Sequence, residues 1–184
     1  MPAVSVIMSV FNHEAFCGEA VSCILGQTYP DFELIIVDDG STDDSLRWLE
    51  SAAGRDSRVT IVPRRHEGLA ASLRFAAAMA GGRYLARMDA DDLCAPGRLA
   101  DQVDLLARDD TLGAVDCMTE LLPGEVTGRG MTEYVDWVNS LIDPGLLHNS
   151  LFIESPLVHP AVTMRRSAYD AAGGYLDEPG PEDY

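Results

Sequence analysis

The sequence of 184 residues carries a formal net charge of −17, because 13 arginines and no lysine stand against 30 aspartates and glutamates. This charge balance excludes nucleic acid as an expected partner, since binding to phosphate backbones requires clustered basic side chains. Hydrophobic residues make up 47% of the chain, enough for one domain with a hydrophobic core, and no apolar stretch reaches the ~20 residues that span a bilayer.

Short apolar stretches and helical patterns alternate along the first two thirds of the chain. Apolar runs of strand length predict buried strands at 3–10, 32–39, 59–63, 84–88 and 113–118. Apolar residues at helical spacing predict helices at about 13–27, 45–53, 69–80 and 95–109. The alternation predicts an α/β fold, with a doubly wound, mostly parallel sheet flanked by helices in a single domain.

The alternation stops between about residues 119 and 155, which we interpret as an insertion in the same domain. A strand-like segment follows at 159–166. The sequence ends at Tyr184, directly after an acidic pair, where a helix would be expected to begin. We therefore expect this chain to be part of a longer protein.

The four cysteines are Cys17, Cys23, Cys94 and Cys117, and their spacing matches neither a CxxC motif nor a small disulfide framework. We interpret them as reduced thiols in a cytoplasmic protein. Met1 leads directly into an apolar run without a basic segment, so no signal peptide is expected.

Two acidic clusters follow predicted strands that belong to the same sheet. Asp38 and Asp39 end the second strand, and Asp89, Asp91 and Asp92 follow the fourth. Ligands of open α/β sheets bind at the carboxyl ends of the strands, where both clusters would lie. A solvated turn with a helix cap explains the first cluster equally well when it is taken alone. Two clusters at one edge favour a ligand site.

The type of ligand follows from the motifs that this edge lacks. No glycine-rich turn follows the first strand, and without lysine there is no P-loop and no phosphoacceptor receiver site. A bound diphosphate would therefore need another source of positive charge. Mg²⁺ or Mn²⁺ binds carboxylate and phosphate oxygens together, and Asp89 and Asp91, two residues apart, can point to the same side.

Five segments in the same order resemble the inverting family-2 glycosyltransferases of the GT-A fold. They are VSVIMSVFN, CILGQTYPDFELIIVDDGSTDDS, GRYLARMDADD, PGRLADQV and the GGY…PEDY ending. The resemblance covers nearly the whole chain except about 119–150. It implies a nucleotide-binding part at about 1–118, the insertion at about 119–155, and an acceptor-side part at about 156–184.

The resemblance implies the transfer, with inversion, of a sugar from a nucleoside-diphosphate sugar to an acceptor hydroxyl, with Mn²⁺ or Mg²⁺ holding the diphosphate. A pyrimidine nucleotide is favoured as donor, and a saccharide or lipid-linked acceptor of cell-envelope polysaccharide synthesis is expected. The implied location is cytoplasmic, with peripheral contact at the inner face of the membrane as a further expectation. The alternative is a nucleotide-sugar-binding fragment with impaired or absent catalysis.

Matching positions then carry implied roles for the nucleotide and the metal. Asp39 resembles the carboxylate that accepts a hydrogen bond from the base, and Ser9 and Phe11 would line the same pocket. Asp89 resembles the member of the DxD motif on the ribose or diphosphate side, and Asp91 resembles the metal ligand. Asp38 is either part of this pocket or a buried structural residue, and Asp92 is expected to cap a helix or support the ligands.

The remaining roles concern the nucleotide loop and the acceptor. Gly68 resembles the loop glycine that lets the backbone approach the nucleotide, although a simple turn glycine explains it equally well. Asp183 resembles the catalytic base, with Glu182 beside it. His159 is assigned to the acceptor side, with a structural histidine as the alternative.

Overall fold

The structure is a computed structural model that describes residues 1–53, 56–122, 128–150, 153 and 155–176. Six strands of this part form one sheet, β1 to β6: Val4–Val10, Phe32–Asp38, Val59–Pro63, Tyr84–Arg87, Ala114–Val115 and Thr163–Arg165. The helices α1 to α7 are Cys17–Leu25, Ser45–Ala53, Leu69–Met79, Arg98–Arg108, Arg129–Asn139, Pro144–Ser150 and Arg166–Ala172. A short 3-10 helix at His159–Ala161 precedes β6.

The sheet has the strand order β3-β2-β1-β4-β6-β5. The first four strands in this order are parallel, whereas β6 pairs antiparallel with both β4 and β5. The predicted single α/β domain with a mostly parallel sheet is therefore confirmed. The carboxyl ends of β1, β2 and β4 meet at one edge, as the sequence analysis expected.

Each face of the sheet packs on its own set of helices, because successive side chains of a strand point to opposite sides. Val6 and Met8 of β1 pack on one side with buried residues of α1 and α4. Ile7 packs on the other side with Ile35 of β2 and Leu73 of α3. Burial on this scale, about 1.5 to 3 kcal/mol for each large apolar side chain, fixes which strand residues face which helix.

Strand β6 enters the sheet between β4 and β5, which the sequence analysis did not anticipate. Two buried polar contacts hold it against α4: Gln102 accepts from the Thr163 hydroxyl at 2.6 Å and donates to the Ala161 carbonyl at 2.7 Å. At the end of β6, Arg166 donates to the carbonyls of Ala77 and Ala80, which end helix α3. Cations in this position complement the negative end of a helix.

The last two strands of the sheet therefore differ from the prediction. The expected fifth strand at 113–118 is reduced to Ala114–Val115, and the expected strand at 159–166 begins as a 3-10 helix. Helix α1 begins at Cys17 rather than near His13, because the 12–14 segment is bonded to the 41–45 loop instead. In the predicted insertion, the structure describes helices α5 and α6. None of the helices in the described ranges is long and apolar enough to cross a membrane.

Candidate functional site

Alternation along the strands brings the predicted nucleotide residues to one face of the sheet. Ile7, Ile35 and Leu85 all lie in the core cluster on the α3 side. Residues two or four positions after these lie on the same side if the alternation continues just past the strand ends. By this count, the α3 side carries Ser9, Phe11, Asp39 and Asp89.

The Asp39 carboxylate is buried, with a side-chain exposure of 1%, and both of its oxygens accept hydrogen bonds from the chain itself. Oδ1 accepts from the Glu67 backbone N–H and the Ser72 hydroxyl, each at 2.9 Å. Oδ2 accepts from the Gly68 N–H at 2.9 Å and lies 2.8 Å from Nδ1 of His66. In this structure Asp39 therefore fixes the 66–68 loop and the start of α3.

Two glycines let this loop approach the end of β2. Gly40 has a φ of +80°, and a Cβ at this position would lie 2.8 Å from the backbone nitrogen of His66. Gly68 has a φ of +95° and directly precedes α3. Both conformations favour glycine. The positive φ of Gly68 agrees with the alternative that it is a turn glycine. Its close approach to a nucleotide stays a prediction.

The loop places an aromatic pair at the sheet edge. The rings of Phe11 and His66 are stacked, with centroids 4.0 Å apart and an angle of 22° between their planes. The His66 side chain is 57% exposed. Phe11, predicted to line the base pocket, therefore presents part of a planar ring surface together with a histidine that the sequence analysis did not identify.

The acidic segment after β4 contains carboxylates in three different environments. Asp89 is held by the buried Arg87, whose Nε and Nη2 lie 3.1 and 3.2 Å from its two oxygens. Burial raises the pKa of Asp89, as does the charge of Asp91, whereas Arg87 and then His159 oppose this shift. His159, predicted on the acceptor side, is thus one of the groups whose charge acts on Asp89.

Asp91 is the most accessible of these carboxylates. Its side chain is 53% exposed, and Oδ2 lies 3.7 Å from Nε2 of His13, in the loop after β1. That loop is tied to the end of β2, since the His13 N–H donates to Ser45 Oγ and Asn12 accepts from the Thr42 N–H. The carboxyl ends of three strands are therefore connected.

Asp92 has a pKa raised to about 6, mainly by burial and then by the charges of Asp89 and Asp91. Of its two expected roles, capping a helix or supporting the ligands, the first is wrong. Helix α4 begins only at Arg98, with Gly97 at the N-cap position, because Pro96 and Gly97 delay the start of the helix.

Asp38 is buried at 3% exposure, and its Oδ1 has no hydrogen-bond partner among the described residues.

These residues fit a hard divalent cation that also binds ligand oxygens. Within the described ranges, no group of three or more His, Cys, Asp or Glu side chains could hold a metal ion alone. Mg²⁺ commonly binds proteins through one or two carboxylates, with phosphate oxygens and water completing its shell. Asp91 is exposed and meets this requirement, while Asp89 is fixed by Arg87.

The predicted catalytic pair Glu182 and Asp183 lies outside the described residues.

Sequence reasoning missed Arg87, His66 and His13. Arg87 could have been found, because an arginine two residues before Asp89 in a strand points to the same side. His66 and His13 carried no such signal, since their positions depend on where two loops meet. A mostly parallel sheet with acidic strand ends and no phosphate-binding glycine loop after β1 is consistent with the GT-A fold that the sequence resembles.

Comparisons with known proteins agree with this class. Residues 5–173 match the family described as Glycosyl transferase family 2. An uncharacterized glycosyltransferase of Haemophilus influenzae is 32% identical over 172 residues, covering 91% of this chain and 53% of the relative. The putative glycosyltransferase EpsE of Bacillus subtilis is 34% identical over 183 residues, covering 95% and 60%. The chain belongs to glycosyltransferase family 2, and it spans little more than half the length of these relatives.

Two solved structures share the fold. One is the mannosyltransferase PcManGT from Pyrobaculum calidifontis, in complex with GDP-Man and Mn²⁺, at a TM-score of 0.73 and 26% identity. This match covers 99% of the present chain and 50% of that protein. The other is Staphylococcus aureus TarS 1-349 in complex with UDP-GlcNAc, with a TM-score of 0.75 and 18% identity. It covers 98% of this chain and 50% of TarS. The GT-A fold predicted from the sequence is therefore confirmed.

Proposed function

We propose that this chain binds a nucleoside-diphosphate sugar through a divalent cation and transfers the sugar, with inversion, to an acceptor hydroxyl. One observation carries the proposal: the exposed Asp91 carboxylate and the exposed Phe11–His66 ring pair lie at the same edge of the parallel sheet. The diphosphate of such a donor would bind the carboxylate through the cation, and its planar base would bind the ring surface.

The nucleoside would bind at the ends of β1 and β2. Phe11 offers a ring for the base, Ser9 lies on the same side of β1, and Asp39 lies behind them. Asp89 would face the ribose or the diphosphate, because Arg87 holds its carboxylate in one orientation. Gly68 would let the loop backbone lie close to the nucleotide.

The diphosphate would bind through Mn²⁺ or Mg²⁺ held by Asp91. The relative PcManGT, whose structure contains GDP-Man and Mn²⁺, supports this choice of cation. When bound, the cation neutralises the diphosphate and stabilises it as a leaving group. Asp91 suits this role because its accessible carboxylate oxygens can bind the cation from the sheet edge while phosphate oxygens approach from solvent.

The acceptor would bind on the side of the segment that leads into β6. His159 begins the 3-10 helix before β6 and would line this side. An acceptor hydroxyl must lose its proton as it attacks the anomeric carbon, so a carboxylate has to face it. We assign this role to Asp183, with Glu182 beside it. The acceptor class we propose is a saccharide or lipid-linked precursor of a cell-envelope polysaccharide, used at the cytoplasmic face of the membrane.

A transfer assay on the natural full-length protein tests this proposal. We would incubate it with nucleoside-diphosphate sugars and Mn²⁺, quantify the released nucleoside diphosphate, and determine the anomeric configuration of the product by NMR. The proposal predicts release that requires the cation and a product of inverted configuration. Asp91→Asn should abolish release. Asp104→Asn, on the exposed face of α4, is the matched control and should leave release unchanged. Release without a cation, or retained configuration, would contradict the proposal.

A further inference from the structure

We infer that Cys23 and Cys94 form a reversible disulfide when the protein reacts with a peroxide, and that this bond weakens diphosphate binding at the acidic edge of the sheet. One sulfur belongs to helix α1, and the other to the loop between Asp91 and helix α4. The disulfide is independent of the proposed function, whereas its effect on binding rests on that function.

The geometry of the two thiols is the first reason. Their sulfur atoms lie 3.4 Å apart, and the Cys94 backbone N–H donates to the Cys23 sulfur at 3.3 Å. The Gln27 amide donates to the Cys94 sulfur at 3.2 Å, and the Cys23 thiol can donate to the Ala20 carbonyl at 3.0 Å. A disulfide needs the sulfurs to close to about 2.05 Å, a small movement for two side chains that each rotate about one bond.

The second reason is the unequal chemistry of the pair. Both thiols are partly exposed, so a small oxidant can reach them, whereas Cys17 is buried. The pKa of Cys23 is lowered, chiefly by its hydrogen bond with Cys94, and the charge of Arg98 acts in the same direction while burial opposes it. The same hydrogen bond raises the pKa of Cys94. A thiolate beside a neutral thiol provides an attacking and a resolving cysteine.

The reaction needs only the peroxide as oxidant. The Cys23 thiolate attacks one peroxide oxygen, so that the O–O bond breaks, a sulfenic acid forms and hydroxide leaves. The Cys94 sulfur then attacks the Cys23 sulfur, the S–O bond breaks, and water leaves with the Cys94 proton. In total the two thiols lose two electrons and two protons, and the peroxide becomes two molecules of water. A dithiol reverses the bond by thiol–disulfide exchange.

The position of the pair gives the effect on binding. Cys94 follows the proposed metal ligand Asp91 by three residues, and both cysteines pack on the core cluster that contains α1. The predicted nucleotide residues lie on the opposite, α3 side of the sheet. Helix α1 is the fixed partner, because its Ala20, Val21 and Ile24 are fully buried, whereas residues 92–95 have no regular structure. Closing the bond should therefore draw the acidic segment away from the nucleotide side.

Peptide mapping of the full-length protein tests the bond. We would treat the reduced protein with hydrogen peroxide, block the remaining thiols with iodoacetamide, and digest with trypsin and Glu-C without a reductant. Glu19 lies between Cys17 and Cys23, so the digest separates the four cysteines of this chain. Mass spectrometry should find the Cys23 and Cys94 peptides joined, and dithiothreitol should release them.

The exposed Cys117 provides the matched control. Cys117→Ser should give the same joined peptides, whereas Cys23→Ser should not. A treated protein without these joined peptides, or with Cys94 joined to Cys117 instead, would overturn the inference.

Calorimetry on the same samples tests the effect on binding. After removal of the peroxide, UDP and GDP are titrated in Mn²⁺. The oxidised protein should bind at least about 5-fold more weakly than the reduced protein, the lower end of the usual coupling between two sites. Dithiothreitol should restore the affinity. Cys23→Ser, treated identically, should keep its affinity, which separates the disulfide from oxidation of methionines.

Equal affinity of the oxidised and reduced proteins would overturn the inferred effect on binding. If the reduced protein bound neither UDP nor GDP with Mn²⁺, the proposed function would be contradicted, while the joined peptides would still decide whether the disulfide forms.

Discussion

Nε of Arg87 lies 3.1 Å from Oδ1 of Asp89, so a buried arginine fixes one of the two carboxylates of the DADD segment. Asp91, two residues later, lies 3.7 Å from Nε2 of His13, and its side chain is 53% exposed. The two carboxylates are therefore not equivalent. Asp89 has one orientation towards the site, whereas Asp91 retains oxygens for a ligand from solvent. The experiments below follow from this difference and from the loop that Asp39 holds.

Asp39→Ala should destabilise the protein by at least about 2 kcal/mol, because it leaves the Glu67 and Gly68 N–H groups and the Ser72 hydroxyl without their acceptor. Urea denaturation at pH 7 measures this change. Asp38→Ala is the control from the same strand end and should cost less, because one of the Asp38 oxygens has no partner among the described residues. Equal losses would show that the two aspartates have similar structural roles.

Gly40→Ala should cost about 1 to 3 kcal/mol, because the alanine must adopt a φ near +80° with its Cβ 2.8 Å from the His66 nitrogen. The displaced loop should also weaken nucleoside-diphosphate binding. Gly18→Ala is the matched substitution, since it lies in α1 and its Cβ would meet nothing within 4 Å. It should stabilise the protein by up to about 1 kcal/mol. Thermal unfolding of the two variants distinguishes them.

Cys23 should react as a thiolate at a lower pH than an ordinary cysteine. Its pKa is lowered, chiefly by its hydrogen bond with Cys94, whose sulfur lies 3.4 Å away. The rate of iodoacetamide labelling, followed by mass spectrometry, should therefore rise at a lower pH than for an unperturbed thiol. Cys94→Ala removes that hydrogen bond and should move the midpoint to higher pH. An unchanged midpoint in this variant would assign the shift to another cause.

Asp183→Asn in the full-length protein should lower turnover by about 10² to 10⁴-fold, the usual contribution of a general base. The affinity for the donor should stay nearly unchanged, because the proposed donor contacts come from other residues. Steady-state kinetics combined with donor titrations separate the two effects. If Asp183 only capped a helix, the substitution would instead reduce stability by about 0.5 to 2 kcal/mol and leave turnover normal.

Much of the fold and of the sheet edge followed from local patterns. Continuous apolar runs identified the four parallel strands, and acidic residues at two strand ends identified the edge that would bind a ligand. Local patterns could not give the order of the last strands, because β6 is held by contacts between Gln102 and residues about 60 positions away.

The roles of individual carboxylates were the least predictable part of the site. Asp38 and Asp39 are adjacent in sequence, yet alternation places them on opposite faces, and only Asp39 reaches α3. Its partners come from residues 66–72, so no pattern around Asp39 could reveal them. Asp92 was expected to cap a helix or to support the ligands, and the helix begins only at Arg98, after Pro96 and Gly97.

The central claim is that a cation held by Asp91 makes the acidic edge a diphosphate site. Without a cation, the diphosphate would meet Asp89 and Asp91 at short range, and at an effective dielectric of about 20 this repulsion costs several kcal/mol. Calorimetric titration with UDP and GDP, in Mn²⁺ and in EDTA, tests the claim directly. We predict binding in Mn²⁺ that is lost in EDTA and in Asp91→Asn, with a much smaller effect of Asp92→Asn. Equal affinity in Mn²⁺ and EDTA would contradict the account.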